Sequence, residues 1–415
     1  MIDSFAASIE AIASALFMPW VVAALMGTAI FLTFRLGFVQ FRRIREAFRS
    51  MVAGQSEGAG GALSPVQAFM LAVAASVGTG NIAGVATAII SGGPGALFWI
   101  WVFGFFAATL KFAEATLGLT FRELLDKKVR SGPMYYLRDG LKQPWLAWTY
   151  ALVAGVAALT TTPFTQPNSI AVVWLSEFAI PTWVTGVIVA VLTWLVIIGG
   201  VKSIGRAMEK LAPLKVGLYL IGGVIVLVSF ANELPAVFAL VFREAFATDS
   251  ALGFGMFIAI RYGIARGLFS NEAGLGSAPM VHAAAQTDHP VRQGLYGIFE
   301  VFVDTVLICS VTGLVILVTD TWTSGATGAA LSTRAFETGL PGAWGDIVVT
   351  GGLLLFAYST LVGWSYYGET GIVYLLGAAA AIPYRVAWLP FCYLGAIGSL
   401  HLVWDIADTL NGLMA

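Results

Sequence analysis

Eleven stretches of roughly twenty mostly apolar residues recur along this chain of 415 residues, and they leave it few ways to fold. A helix needs about 20 apolar residues to cross about 30 Å of hydrocarbon. In lipid every backbone N–H and C=O must find a partner inside the protein, so such runs become helices. The stretches cover residues 12–34, 64–91, 94–119, 145–176, 181–200, 211–230, 252–281, 291–319, 344–366, 368–382 and 386–409. Only 11% of the residues are charged and the mean hydropathy is +0.85. An average soluble chain carries about 25% charged residues. The sequence is that of an all-α polytopic membrane protein with eleven transmembrane helices.

Other classes fall away on the same composition. A net charge of −1 offers no basic excess for nucleic acid. Cys309 and Cys392 lie inside apolar runs and suggest no disulfide framework. His282, His289 and His401 are spaced unlike any zinc site. Asp3 and Glu10, with no basic residue before the first apolar stretch, set the start of the chain apart from a removable signal peptide, so that stretch is read as a span.

Basic residues set an expected orientation, because cytoplasmic loops hold an excess of Lys and Arg. One side receives Arg35, Arg42, Arg43, Arg45, Arg49, Arg122, Lys127, Lys128, Arg130, Arg138, Lys142, Lys202, Arg206, Lys210, Lys215 and Arg292. The other receives Arg243, Arg334 and Arg385, while Lys111, Arg261 and Arg266 fall inside spans. This places the N-terminus outside and the C-terminus in the cytoplasm of a cell membrane. Val39 to Met51, with Phe41, Ile44, Phe48 and Met51 at helical spacing among arginines, reads as an amphipathic helix on the cytoplasmic face.

Two spans contain runs that an unbroken helix disfavours: Ser76-Val77-Gly78-Thr79-Gly80-Asn81 and Phe269-Ser270-Asn271-Glu272-Ala273-Gly274-Leu275-Gly276-Ser277. With the first span set aside, each break opens one group of five spans. Broken helices at matching places in two inverted halves point to a transporter site at the bilayer midplane; close helix packing through small residues is the competing reading. The division is then 1–51, an extra span and amphipathic helix; 52–230, a first five-helix repeat; and 250–409, a second, inverted one.

A half-helix starting after a break presents free N–H groups to a carboxylate, while loosened carbonyls suit a cation. The candidate donors are the N–H groups of Thr79 and Gly80, and the candidate ion ligands are the carbonyls of Ala74 and Val77. Ser359 and Thr360 in the ninth span offer hydroxyls to complete an oxygen cage, unless they bond back to their own helix. Glu272 is expected to pair with Arg266 or to meet a substrate amine, and Lys111 with Glu114 one turn away. Asp304, Arg261 and Asp405 carry no assigned role, and His401 reads as an interior histidine. Ser270 with His282 or His401 has no supporting hydrolase motif, and the single pair of breaks is unlike a symmetric channel filter.

Several blocks resemble the alanine or glycine:cation symporter family, the sodium:alanine symporters. They are Leu63-Ser64-Pro65-Val66-Gln67-Ala68, Val77-Gly78-Thr79-Gly80-Asn81-Ile82-Ala83-Gly84, Gly92-Gly93-Pro94-Gly95-Ala96-Leu97-Phe98-Trp99, Gly132-Pro133-Met134-Tyr135-Tyr136, Gly267 through Pro279, and Ser359 through Glu369. The similarity runs from about residue 60 to 410. It implies a LeuT-type 5+5 inverted repeat preceded by one extra N-terminal helix. It also implies Na+-coupled uptake of a small neutral amino acid, alanine or glycine, with Na+ as coupling ion and no obligatory protein partner.

The resemblance ranks residues as well. It implies a substrate site of Thr79, Gly80, Gln166, Phe269, Ser270, Asn271, Leu275 and Trp364. Leu275 and Trp364 would wall the side-chain end. Ala74, Val77, Ser359 and Thr360 would form the main sodium site, with Ser76 and Asn81 lining a second ion position. The run Thr160-Thr161-Thr162-Pro163-Phe164-Thr165-Gln166-Pro167-Asn168-Ser169 departs from the family pattern, and its two prolines are expected to kink the fourth span beside the pocket. A proton-coupled carrier of the same fold, titrating Glu272 or Asp304, is the alternative, with a channel as the reading from a different class.

Overall fold

Ser64 starts the first interrupted span with a capping box: its hydroxyl accepts from the Gln67 N–H, and the Gln67 side chain accepts from the Ser64 N–H. Pro65 sits in the first turn, where its missing donor is not needed. The computed structural model describes residues 20–53, 60–125, 128–248, 255–398 and 414. Asp3, Glu10, Lys127, His401, Asp405, the start of the 12–34 stretch and the end of the 386–409 stretch lie outside the described residues.

Helix α1 (Val22–Arg35) comes first, and the amphipathic segment expected as one helix over Val39–Met51 is divided at Arg43 into a single turn, Val39–Arg42, and α2 (Ile44–Ala53). The first break separates α3 (Pro65–Ser76) from α4 (Gly80–Gly92), which meet at 50°. Next come α5 (Ala96–Thr120), a small hairpin of β1 (Glu123–Leu125) and β2 (Lys128–Arg130), and α6 (Pro133–Asp139). Helices α7 (Pro144–Thr160) and α8 (Thr162–Phe178) run on through Thr161, and α9 (Thr182–Ile197) and α10 (Gly200–Ser229) close the first half of the chain. Pro163 lies in the first turn of α8 and Pro167 inside it, so the expected disturbance of the fourth span is a junction at Thr161.

The second half begins with α11 (Leu234–Ala245) and α12 (Met256–Asn271). The second break follows. Glu272 ends α12 in the left-handed region at φ +56°, and Gly274 (φ +95°) and Gly276 (φ +77°) carry the chain to the short α13 (Ala278–His282). Helix α14 (Pro290–Val318) contains a π-helical stretch over Phe302–Cys309; α15 (Gly328–Gly339), α16 (Trp344–Leu376) and α17 (Ala381–Ile397) complete the described helices.

Three expectations change. The 344–366 and 368–382 stretches form one 33-residue helix, α16, so 368–382 is not a span of its own. No Pro interrupts that run, and it continues without a cap to Gly377. Arg385 therefore falls at the other end of the molecule. It forks onto both oxygens of Glu369 at 2.6 Å and lines one pocket with Arg130 and Lys202, on the basic side and not opposite it. Lys215 also leaves the cytoplasmic count: it lies inside the 211–230 stretch, and α10 starts as early as Gly200, which sets it deeper still. Fifteen residues at 1.5 Å each put Lys215 about 22 Å into that helix, and it is fully buried.

The two breaks face each other at the centre. Helix α10 and helix α16 both pack against α3, while α12 packs against α4 and α5. A Cβ on Gly80 would lie 3.0 Å from the Phe269 ring and 3.6 Å from the Ser270 Cα, so glycine is what lets the two breaks approach.

Candidate substrate and cation sites

The small cavity between the breaks measures about 30 Å3 and is lined by Ser76, Gly78, Thr79, Gly80, Thr161, Thr162, Thr165, Gln166, Phe269, Glu272, Leu275, Thr360 and Trp364. A water needs about 10–15 Å3 in such a measure, so the space admits roughly two waters. Helix α4 begins here. The first N–H groups of a helix have no intrahelical acceptor, and the positive end of its dipole faces the cavity. Gln166 donates weakly to Thr79 Oγ1 and Thr165 Oγ1, each at 3.4 Å. Its Oε1 is buried with no partner, as is Thr161 Oγ1. A buried polar atom left unpaired is costly, and Gln166 Oε1 and Thr161 Oγ1 are two such atoms on one wall of the cavity.

The opposite wall is apolar with one carboxylate. Glu272 accepts from Trp364 Nε1 and from Ser277 Oγ, both at 2.8 Å. It does not pair with Arg266, which lies against the Phe269 ring in an outer vestibule of about 480 Å3. Thr79, Gly80 and Phe269 border both spaces, so they form the partition between vestibule and central cavity.

Ser270 and Asn271, expected at the substrate, do not line the cavity. Ser270 Oγ donates to Asp304 Oδ2 (2.9 Å), and Asn271 bonds Thr305 Oγ1 (3.1 Å) and the Ala273 N–H (3.0 Å). Asn81 turns the same way. Its Oδ1 accepts from the Gly78 N–H at 2.9 Å, and its Nδ2 donates to Asp304 Oδ1 at 2.6 Å. Asp304 in the π-helical stretch thus ties both breaks together, a role that no spacing in the sequence announces. Ser76, which also lines the central cavity, bonds back to Ala72 O at 3.1 Å.

The cage expected for sodium converges as a set of oxygens. Ser359 Oγ approaches Ala74 O at 3.1 Å, and Thr360 Oγ1 lies 3.3 Å from Ala74 O and 3.4 Å from Val77 O. At the focus of these oxygens stands the ammonium of Lys215, 3.0 Å from Ala74 O, 2.5 Å from Val77 O and 2.6 Å from Ser359 Oγ. Counting Lys215 with the cytoplasmic basic residues hides it; a basic residue inside the hydrophobic 211–230 run is the signal that finds it.

The buried Lys111 and Glu300 pair away from the cavity. Lys111 bonds Glu300 at 2.9 Å rather than Glu114, whose Oε1 accepts from the Gly276 N–H. His282 contacts Glu300 (3.0 Å) and Gln293 (2.9 Å), so it is engaged apart from Ser270. Among the described residues no cluster of His, Cys, Asp and Glu would hold a metal.

Long apolar helices, one bent pair and a polar centre enclosed by the breaks define a multi-pass helical membrane protein of the transporter kind. The fold is shared with a manganese transporter variant from Eremococcus coleocola, at 12% identity and a TM-score of 0.56 over 84% of this chain and 74% of that one. The chain belongs to the Sodium:alanine symporter family, whose model matches residues 2–415. It is 42% identical to the sodium/alanine symporter AgcS of Methanococcus maripaludis, across 99% of this chain and 92% of that protein. It is 35% identical to the amino-acid carrier protein AlsT of Bacillus subtilis, across 100% of this chain and 88% of that one.

Proposed function

We propose that this protein is a Na+-coupled symporter of small neutral amino acids, alanine and glycine foremost, and not an enzyme. The observation that carries the reading is the 30 Å3 cavity between two helix breaks, with helix N-terminal donors on one side and the unpaired Gln166 Oε1 on the other. The N–H groups of Thr79 and Gly80 take the substrate carboxylate, and Gln166 Oε1 accepts from its ammonium. Leu275 and Trp364 leave room for a methyl group or a hydrogen. The name of the Methanococcus relative supports both the substrate size and the ion.

In this reading residues 52–230 and 250–409 are two inverted halves, with residues 1–51 as an added span and helix; with 368–382 merged into α16, the described residues of the second half supply four long helices, α12, α14, α16 and α17. The N-terminus lies outside, and the basic end bearing Arg130, Lys202 and Arg385 faces the cytoplasm. Transport is alternating access of the central cavity. Na+ drives it only as far as it binds one of the two states better than the other.

Proton coupling is the second reading, favoured by one observation: a cationic side chain already stands where Na+ was expected. Uptake of labelled alanine into proteoliposomes separates the two. Accumulation under an inward Na+ gradient, absent with K+, supports the symporter; equal accumulation under a pH gradient without Na+ overturns Na+ coupling.

A further inference from the structure

Three acceptors surround the end of Lys215, and an ammonium has three protons to give. Ala74 O, Val77 O and Ser359 Oγ take them at 3.0, 2.5 and 2.6 Å, and the Phe356 ring face lies 5.2 Å away. A buried amine this fully bonded is a built feature, since an ammonium in a membrane interior survives only with its donors satisfied. Oxygens that satisfy an ammonium also suit a hard monovalent cation, which asks for carbonyl and hydroxyl ligands. One focus between three such oxygens has room for one positive charge.

The nearby carboxylates Asp304 and Glu272 make their hydrogen bonds elsewhere, and among the described residues none forms an ion pair with Lys215. The ammonium is therefore held by the cage itself and not by an ion pair. Ala74 and Val77 end α3, and Ser359 lies in α16, so Lys215 also ties the first half of the chain to the second. Pro213 sits two residues ahead in α10, where the helix can bend at small cost in hydrogen bonds.

Resting on the symporter reading, we propose that the Lys215 ammonium is a tethered cation that occupies the coupling-ion cage in this conformation. It must withdraw before Na+ can enter, so Lys215 sets the apparent affinity of the protein for Na+. An external ion and the side chain then compete for one set of oxygens, and the winner decides whether α3 is tied to α16 through the lysine.

The test compares wild type with Lys215→Met in two measurements: the Na+ concentration for half-maximal alanine uptake in proteoliposomes, and the Na+-dependent rise in melting temperature of the purified protein. The expected result is at least a tenfold fall in half-saturating Na+ for Lys215→Met, with a matching shift in the melting curve. Unchanged Na+ dependence in both measurements overturns the proposal and leaves the symporter reading standing. Wild-type transport indifferent to Na+, with Na+ dependence gained in Lys215→Met, supports the tethered cation and overturns Na+ coupling in the native protein. Indifference to Na+ in both proteins overturns both. Should Lys215→Met not be recovered folded, Lys215→Gln serves the same comparison.

Discussion

Lys215 Nζ and Ser359 Oγ meet at 2.6 Å, joining α10 to α16 at the point where α3 ends. Two helix breaks, a small central cavity and a cation cage thus lie within a few residues of one another. The side chains around them are open to direct tests.

Gly78 and Gly80 keep the break open to its neighbours. A Cβ on Gly78 would come 2.7 Å from Thr360 Oγ1, and one on Gly80 would press on the Phe269 ring at 3.0 Å. Gly78→Ala and Gly80→Ala should each lower the rate of alanine uptake by about tenfold or more, roughly 1.4 kcal/mol in barrier. The protein should still reach the membrane. Initial-rate measurements normalised to surface protein check this, and near wild-type rates would show that the two breaks need no such approach.

Leu275 and Trp364 wall the cavity, but they differ in a second duty. Trp364 also donates to Glu272 Oε1, whereas the side chain of Leu275 only fills space. Leu275→Ala should admit valine as a competitor of alanine uptake, at a stability cost of about 2–5 kcal/mol for a buried leucine. Trp364→Phe should instead weaken uptake of every substrate by stranding the carboxylate. Competition assays with valine distinguish them, and a Leu275→Ala protein that still rejects valine would contradict the assigned wall.

The Lys111, Glu300 and His282 cluster is structural. Glu300→Gln leaves Lys111 buried against a neutral partner, a loss of about 3–5 kcal/mol. Adding Lys111→Met should return part of that stability. Thermal melts of the purified single and double variants test it, and a single variant that melts with wild type would remove the cluster from the structural framework.

Orientation can be read from cysteine labelling, since Cys309 and Cys392 are buried. Helix α16, at 33 residues, is about 50 Å long and puts its two ends on opposite faces. An impermeant thiol reagent should label Arg334→Cys in intact cells, and Lys202→Cys and Ala378→Cys only after permeabilisation. Ala378→Cys labelling together with Arg334→Cys would reverse the placement of α16.

Sequence patterns revealed the breaks because Gly, Asn and Glu are costly inside apolar helices. They also marked Ala74, Val77, Ser359 and Thr360, whose oxygens do converge. Side-chain direction was not legible. Ser270, Asn271 and Asn81 lie in the broken segments yet turn to Asp304 and Thr305, since hydrogen bonds across helices decide where a polar group points. Depth along a helix was no easier: Lys215, counted with the cytoplasmic basic residues although it falls within the 211–230 stretch, stands at the centre of the cage because α10 starts as early as Gly200.

Equilibrium binding of labelled alanine to the purified protein, in wild type and Gln166→Leu, tests the central cavity most directly. Saturable binding in wild type, displaced by glycine but not by leucine and weakened at least tenfold in Gln166→Leu, is the predicted result. Alanine binding of equal strength in both proteins would contradict it and place the amino acid elsewhere.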